Sequence, residues 1–214
     1  MHINNKLWLK DLKNTYHRSF KGVKVLELGS GTFDTKELVV RRYFDDCIYV
    51  GVDKTGIDGG NRGVDVIAEA KSTKFTKGTF DTLICVSMFE HDPDWKKSLS
   101  HNLQWVKDGG MIFISFGAEG NRPHMPYPWK PVPYLEFLKY CFRIGIDITD
   151  AFFEEERYGR NCAGSFNAVG IKSEPGRTKG HFFTVQRAPI RYRLTGVTDW
   201  VEMCKHKVRD ALSL

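Results

Sequence analysis

Between residues 23 and 115 the chain alternates short apolar runs with segments whose apolar positions recur at helical spacing. Val23-Lys24-Val25-Leu26-Glu27-Leu28 reads as a strand ending at glycine, and the residues from Cys47 to Val52 as a second strand ending at Asp53. Val64-Asp65-Val66-Ile67 is a weaker third. Phe80-Asp81-Thr82-Leu83-Ile84-Cys85-Val86 is a fourth, and Met111-Ile112-Phe113-Ile114-Ser115 a fifth after a turn at Lys107-Asp108-Gly109-Gly110. Helical spacing falls in residues 35–44, with Leu38, Val39 and Tyr43 on one side, and in 95–106. The first twenty residues predict an amphipathic helix carrying Leu7, Trp8, Leu12 and Tyr16 on its apolar side. Strands that are apolar throughout, joined by helices, predict a parallel sheet covered on both faces. Such sheets bind ligands at the C-terminal ends of their strands, near the point where the winding reverses.

Beyond this core the pattern changes. Residues 117–133 hold five prolines among Asn121, His124, Tyr127 and Trp129, a stiff aromatic loop that leaves the fifth strand at the ligand edge. Helix is expected over 134–143 and strand over 144–153, with 166–172 and 181–187 as rival last strands and a final helix near 199–211. One α/β domain accounts for 214 residues. Its parts are an N-terminal helix (1–20), a ligand-binding core (23–115) and an acceptor-side region with the tail (117–214).

Charge alters the picture only at the C-terminus. The net charge is +6, and residues 176–214 hold eight Lys or Arg against three acids, a tail suited to an anionic partner or to solvent. No apolar run approaches the length of a membrane span, and residues 1–13 lack the pattern of a secretory leader, so a cytosolic location is expected. Cys47, Cys85, Cys141, Cys162 and Cys204 form no CxxC pair, so buried reduced thiols are the expected reading.

The chemistry gathers at strand ends. Glu27-Leu28-Gly29-Ser30-Gly31-Thr32-Phe33-Asp34 follows the first strand, and its glycines let a ligand approach the main chain. A dinucleotide site would place a third glycine at Asp34, where a pyrophosphate meets a helix start; an aspartate there repels that anion. A ligand carrying sulfonium and ammonium groups suits acidic surroundings, which favours S-adenosylmethionine over NAD. Asp53, closing the second strand, can accept hydrogen bonds from two ribose hydroxyls.

In order and at normal spacing, five segments resemble class I S-adenosylmethionine-dependent methyltransferases. Val25 to Thr32 resembles their first motif, Val50-Gly51-Val52-Asp53 the second, and Val64 to Ala70 the third-strand segment. Residues 80–91 are similar to the FDxVxxxxxLEH stretch of the ubiquinone-type (type 11) branch, and residues 106–112 to the turn before strand five. The resemblance implies a Rossmann-like, doubly wound, mostly parallel seven-stranded sheet with an antiparallel last strand. It also implies roles. Glu27, Gly29, Ser30 and Gly31 line the methionine portion, Asp53 with Lys54 holds the ribose, and Glu69 with Ala70 the adenine. Asp65 is a rival for Glu69, and Val86, Ser87 and Met88 pass beneath the sulfonium. The sequence departs from the family at Phe33, where a third glycine is common, and at Glu69, where aspartate is usual.

His91, just past the fourth strand, is the first candidate base, although a histidine starting a helix often serves only the backbone. His124 and Tyr127 are acceptor-site candidates. Asp92 and Asp94 read as helix-start caps rather than metal ligands. The expected acceptor is a small molecule or glycan-like compound, anionic in one variant of the reading, methylated on oxygen or nitrogen. Methylation of RNA through the basic tail and a non-catalytic binding module are the alternatives. Residues 87–90, Ser-Met-Phe-Glu, replace the Asp/Asn-Pro-Pro-Tyr/Phe signature of amino-group nucleic-acid enzymes, and no Pro-Cys pair offers a cytosine-C5 nucleophile.

Overall fold

The structure is a computed structural model that describes residues 3–31, 40–55, 63–118, 128–158 and 165–175. The expected Leu38 and Val39, Asp34, His124 and Tyr127, Cys162 and Cys204, the strand over 181–187, the last helix and the basic tail lie outside the described residues.

Seven strands form one sheet: β1 (Lys24–Leu28), β2 (Ile48–Asp53), β3 (Val66–Ile67), β4 (Phe80–Val86), β5 (Val106–Gly117), β6 (Ile146–Phe153) and β7 (Ser165–Lys172). Their spatial order is β3-β2-β1-β4-β5-β7-β6. The first five strands pair in parallel, with Leu28 opposite both Val52 and Cys85. β7 runs antiparallel to β5 and to β6. The expected doubly wound sheet with an antiparallel last strand is therefore present, and residues 166–172 supply that strand.

The strands read as continuously apolar because both faces are covered. Leu26, Leu28, Leu83, Cys85, Ile112 and Ile114 enter one core with helices α2 (Trp95–Leu103) and α3 (Tyr134–Ile144). Val25, Ile84, Val86 and Phe113 point the other way, toward helix α1 (Ile3–Thr15). Successive strand residues take opposite faces, so each run feeds two cores.

Four expectations need correction. In α1, Leu7 is 40% exposed whereas Leu9 is fully buried beside Trp8 and Leu12. The buried stripe is Asn5, Trp8, Leu9, Leu12 and the half-buried Tyr16, and a polar residue therefore opens it. Residues 107–110 do not precede β5 as a separate turn but belong to it. Phe80 pairs with Val106 and Thr82 with Met111, so a bulge takes up the extra residues. Helix α2 stops at Leu103, since Val106 already belongs to the sheet. Over 35–44, the described part is a 3-10 turn, Val40–Tyr43.

Candidate cofactor and acceptor site

The loop after β1 turns back at Gly29, whose φ of +73° is the left-handed region in which a side chain is strained. Space excludes one too: a Cβ on Gly29 would lie 2.6 Å from Met88 Cβ, just past the end of β4. The loop is then tied to β2, with Gly29 N and Ser30 N both donating to Val52 O, at 2.9 and 3.1 Å. Gly51 makes that closeness feasible, because a Cβ there would stand 1.9 Å from Gly63 O and 2.7 Å from Ser30 Oγ.

Asp53 joins the same knot. Gly31 N donates to its Oδ2 at 3.0 Å, while Thr55 N and Thr55 Oγ1 donate to Oδ1 at 3.0 and 3.2 Å. Oδ2 keeps a lone pair for a further donor. The Ser30 hydroxyl, only 4% exposed, has no partner among the described residues. Lys54 is exposed beside Asp53.

Beneath the loop, Glu27 is 3% exposed and accepts a hydrogen bond from Tyr49 Oη at 2.9 Å. Burial pushes its carboxyl up to about 8, against the lowering effects of Tyr49 and of nearby Arg41. Arg41 stacks over the Tyr49 ring at 4.8 Å and pairs with Asp65. Asp65 also accepts from Gly51 N at 2.7 Å, so its carboxylate faces back into β2 and is already committed. Glu69 is exposed and 3.5 Å from Lys71 Nζ, and Ala70 is half-buried at the start of a 3-10 turn.

Where β4 ends, Ser87 takes a φ of +53°, uncommon for any residue but glycine. Its amide donates to Ser115 O at 2.8 Å and its hydroxyl accepts from Asn5 Nδ2 at 3.0 Å. Ser115 Oγ reaches Asn5 Oδ1 at 3.4 Å. The first turn of α1 is thereby fastened to the ends of β4 and β5. Val86 is buried, and Ser87 and Met88 are half-buried. Left-handed backbone at such a place is characteristic of sites held in one shape by their surroundings.

His91 closes the 3-10 turn Phe89–His91 and donates its backbone N–H to Met88 O at 2.9 Å. Asp92 accepts from Asp94 N at 2.8 Å and from Ser98 Oγ, while Asp94 pairs with Lys71 at 2.7 Å. Asp92 thus braces the start of α2, whereas Asp94 stands at its N-cap position without a side-chain capping bond, its carboxylate turned to Lys71 instead of the expected cap.

A polar group that the sequence reading missed lies at the same edge. Glu154 follows β6 and is fully buried; its Oε1 accepts from Asn167 Nδ2 of β7 at 3.4 Å, and Ser165 also hydrogen-bonds to it. Burial lifts its carboxyl to about 7. Glu90, 3% exposed, is likewise raised to about 7 by burial, with Glu154's charge adding to the rise, while backbone N–H groups, among them that of Gly117, oppose it. The signals were there to find: a glutamate ending the apolar run Ala151-Phe152-Phe153, an asparagine inside an apolar strand, and an asparagine on the apolar stripe of α1. Elsewhere, a cleft lined by Lys13, His17, Arg18, Lys21 and Asp45 opens beside the starts of β1 and β2, at the opposite edge of the sheet.

A family profile described as a methyltransferase domain matches residues 2–139, more than half of the chain. The chain belongs to this family. It is an S-adenosylmethionine-dependent methyltransferase with the class I fold. Similar solved structures include the 1,6-didemethyltoxoflavin N1-methyltransferase of Burkholderia thailandensis, holding its acceptor and S-adenosylhomocysteine. It is 13% identical, with 80% of this chain and 79% of that one covered and a TM-score of 0.60. An S-adenosylmethionine-dependent methyltransferase of Archaeoglobus fulgidus is 18% identical over 78% of this chain and 94% of that one, with a TM-score of 0.57. The [4+2]-cyclase SpnF is 13% identical, with 76% and 81% covered and a TM-score of 0.57, so the shared fold does not by itself fix a reaction.

The residues of the methyltransferase fit the cofactor. The Ser30 hydroxyl has no partner among the described residues, Asp53 Oδ2 keeps a lone pair for a further donor, and the buried Glu27 carboxyl beneath the loop lacks a cationic ion-pair partner among them. Among the described residues no helix is long and apolar enough to cross a membrane.

Proposed function

We propose that this methyltransferase, acting as a single domain, methylates oxygen or nitrogen of a small-molecule or glycan-like acceptor at the C-terminal edge of β1, β4 and β5. The observation that carries the reading is the glycine loop tied to Asp53 above the buried carboxyl of Glu27. In this reading Glu27, Gly29, Ser30 and Gly31 receive the methionine portion, and Asp53 with Lys54 the ribose. Glu69 and Ala70 flank the adenine, with Glu69 giving up its contact to Lys71, and Val86, Ser87 and Met88 form the floor. When bound, S-adenosylmethionine supplies a methyl group already activated by its positive sulfur.

The chain's own work is then mostly positioning, worth several powers of ten in rate when the reacting atoms are held close and aligned. Glu27, once its carboxyl ionises, attracts the cofactor's ammonium group. The Asn5 bridge to Ser87 and Ser115 keeps the floor rigid. His91, at the end of the 3-10 turn that follows the floor, is our candidate for orienting or deprotonating the acceptor, together with His124 and Tyr127. The 1,6-didemethyltoxoflavin N1-methyltransferase, solved with 1,6-didemethyltoxoflavin bound, supports a small acceptor here. A cytosolic setting belongs to the same reading.

Isothermal titration of the full chain tests it. S-adenosylmethionine and S-adenosylhomocysteine are expected to bind with micromolar affinity and NADH not to bind. Absence of heat with both sulfur compounds at millimolar concentration overturns the proposal.

A further inference from the structure

We propose that the acceptor is an amine, held by the buried carboxyls of Glu90 and Glu154 and the side-chain oxygen of Asn167. The inference rests on the methyl-transfer reading above and names the substrate class of that site.

Three oxygens carry it. Glu90 Oε2, Glu154 Oε2 and Asn167 Oδ1 are each inaccessible and each lacks a hydrogen-bond partner among the described residues, on side chains 3%, 0% and 0% exposed. Buried oxygens without donors are costly, and native proteins rarely leave several close together. The asparagine is oriented by its own contact, since Nδ2 faces Glu154 Oε1 and Oδ1 is left over. No Lys or Arg forms an ion pair with either carboxylate among the described residues. The group therefore offers acceptors and asks for donors.

Its place in the fold agrees. Glu90 lies just past Met88, which touches the glycine loop, and one of its hydrogen bonds comes from Gly117 at the end of β5. Ser165 pairs with Gly117, and Asn167 with Ser115, the residue bonded to Asn5. The oxygens thus line the edge beside the floor, on the side away from Asp53. An ammonium group brings up to three N–H donors and a positive charge that would draw the carboxyls to their ionised form. An alcohol brings one donor and no charge.

The step balances with the residues present. The ammonium passes a proton to the Glu90 carboxylate, which frees the nitrogen lone pair. That pair forms the N–CH3 bond as the C–S bond breaks, its electrons staying on sulfur, and the proton on Glu90 later leaves to solvent.

The test uses the full chain saturated with S-adenosylhomocysteine, following melting temperature and titration heat. The probes are ethylamine, benzylamine and 1,4-diaminobutane, set against ethanol, benzyl alcohol and 1,4-butanediol. At least one amine is expected to bind about tenfold or more tightly than its alcohol, the worth of one charge-assisted hydrogen bond. In Glu154→Gln and in Glu90→Gln that preference is expected to fall to within about twofold. Amines and alcohols behaving alike, or a preference that survives in both variants, overturns the inference. The comparison on the unmodified chain needs no variant, so a variant that fails to fold leaves the test intact. Binding of S-adenosylhomocysteine without amine preference sinks this inference alone, whereas failure to bind S-adenosylhomocysteine sinks the methyl-transfer reading.

Discussion

Glu27 gives the most quantitative expectation. Its carboxyl titrates at about 8 in the folded chain, against an ordinary value of 4.5, because it is buried with a single hydrogen bond from Tyr49. A folded state that holds its proton more tightly than the unfolded one loses stability as pH rises, beginning near 4.5 and ending once pH passes about 8. At about 1.4 kcal/mol per pH unit, the loss between pH 5 and pH 8 comes to about 4 kcal/mol. Glu27→Gln keeps the acceptor for Tyr49 and removes the titration. It leaves a buried amide short of partners, at a pH-independent cost of about 1–3 kcal/mol. Urea unfolding from pH 5 to pH 8 should therefore show the unmodified chain losing about 4 kcal/mol more than the variant. Cofactor binding should move in the opposite direction. If the cofactor's ammonium draws Glu27 into its ionised form, binding at pH 7 releases about 0.9 proton, and affinity rises nearly tenfold per unit between pH 6 and 7.5. Titration in buffers of different ionisation heat reads the proton directly, and the variant should show neither effect. Parallel stability curves for the two proteins would refute the reasoning, since they would mean that Glu27 ionises as if in water.

Gly29→Ala forces a side chain onto a φ of +73° and against Met88, which should cost about 1–3 kcal/mol in denaturant unfolding and weaken S-adenosylhomocysteine by more than tenfold. Asp53→Ala removes the acceptor for Gly31 N and for Thr55; calorimetry should show at least a tenfold loss of cofactor affinity, and unchanged affinity would contradict the ribose assignment. Asn5→Ala strips Ser87 and Ser115 of their shared partner, and a loss of about 1–3 kcal/mol in thermal or urea unfolding is expected.

The cofactor half of the molecule was legible because its signals are local. β1, β2 and β4 are short apolar runs, and the glycine turn and Asp53 close two of them within a few residues of the strand ends. The acceptor half was less so. Asn5 reaches Ser115 across 110 positions, and Asn167, paired with Ser115 across the sheet, reaches Glu154; no periodicity records such meetings. β5 was read too short, since Lys107-Asp108-Gly109-Gly110 has the composition of a turn while behaving as a bulge. Leu7 and Leu9 were exchanged for a related reason: either can extend a stripe through Trp8 and Leu12, and contact with the sheet decides between them. The bond from Gly51 N to Asp65, which ties a carboxylate to the backbone of its own sheet, carries no sequence signal either.

The position of β7 has a consequence for how the chain is made. It is the last described strand along the sequence, yet it stands between β5 and β6. As the protein leaves the ribosome, β1 to β4 can pair with one another as soon as each is complete. β6 then emerges without β7, its one neighbour in the sheet, while β5 waits with a bare edge. Both edges stay open, apolar and able to recruit a foreign strand until Lys172 is clear of the exit tunnel. A premature stop or a nick between residues 158 and 165 would strip both at once while sparing the pairing that shapes the glycine loop.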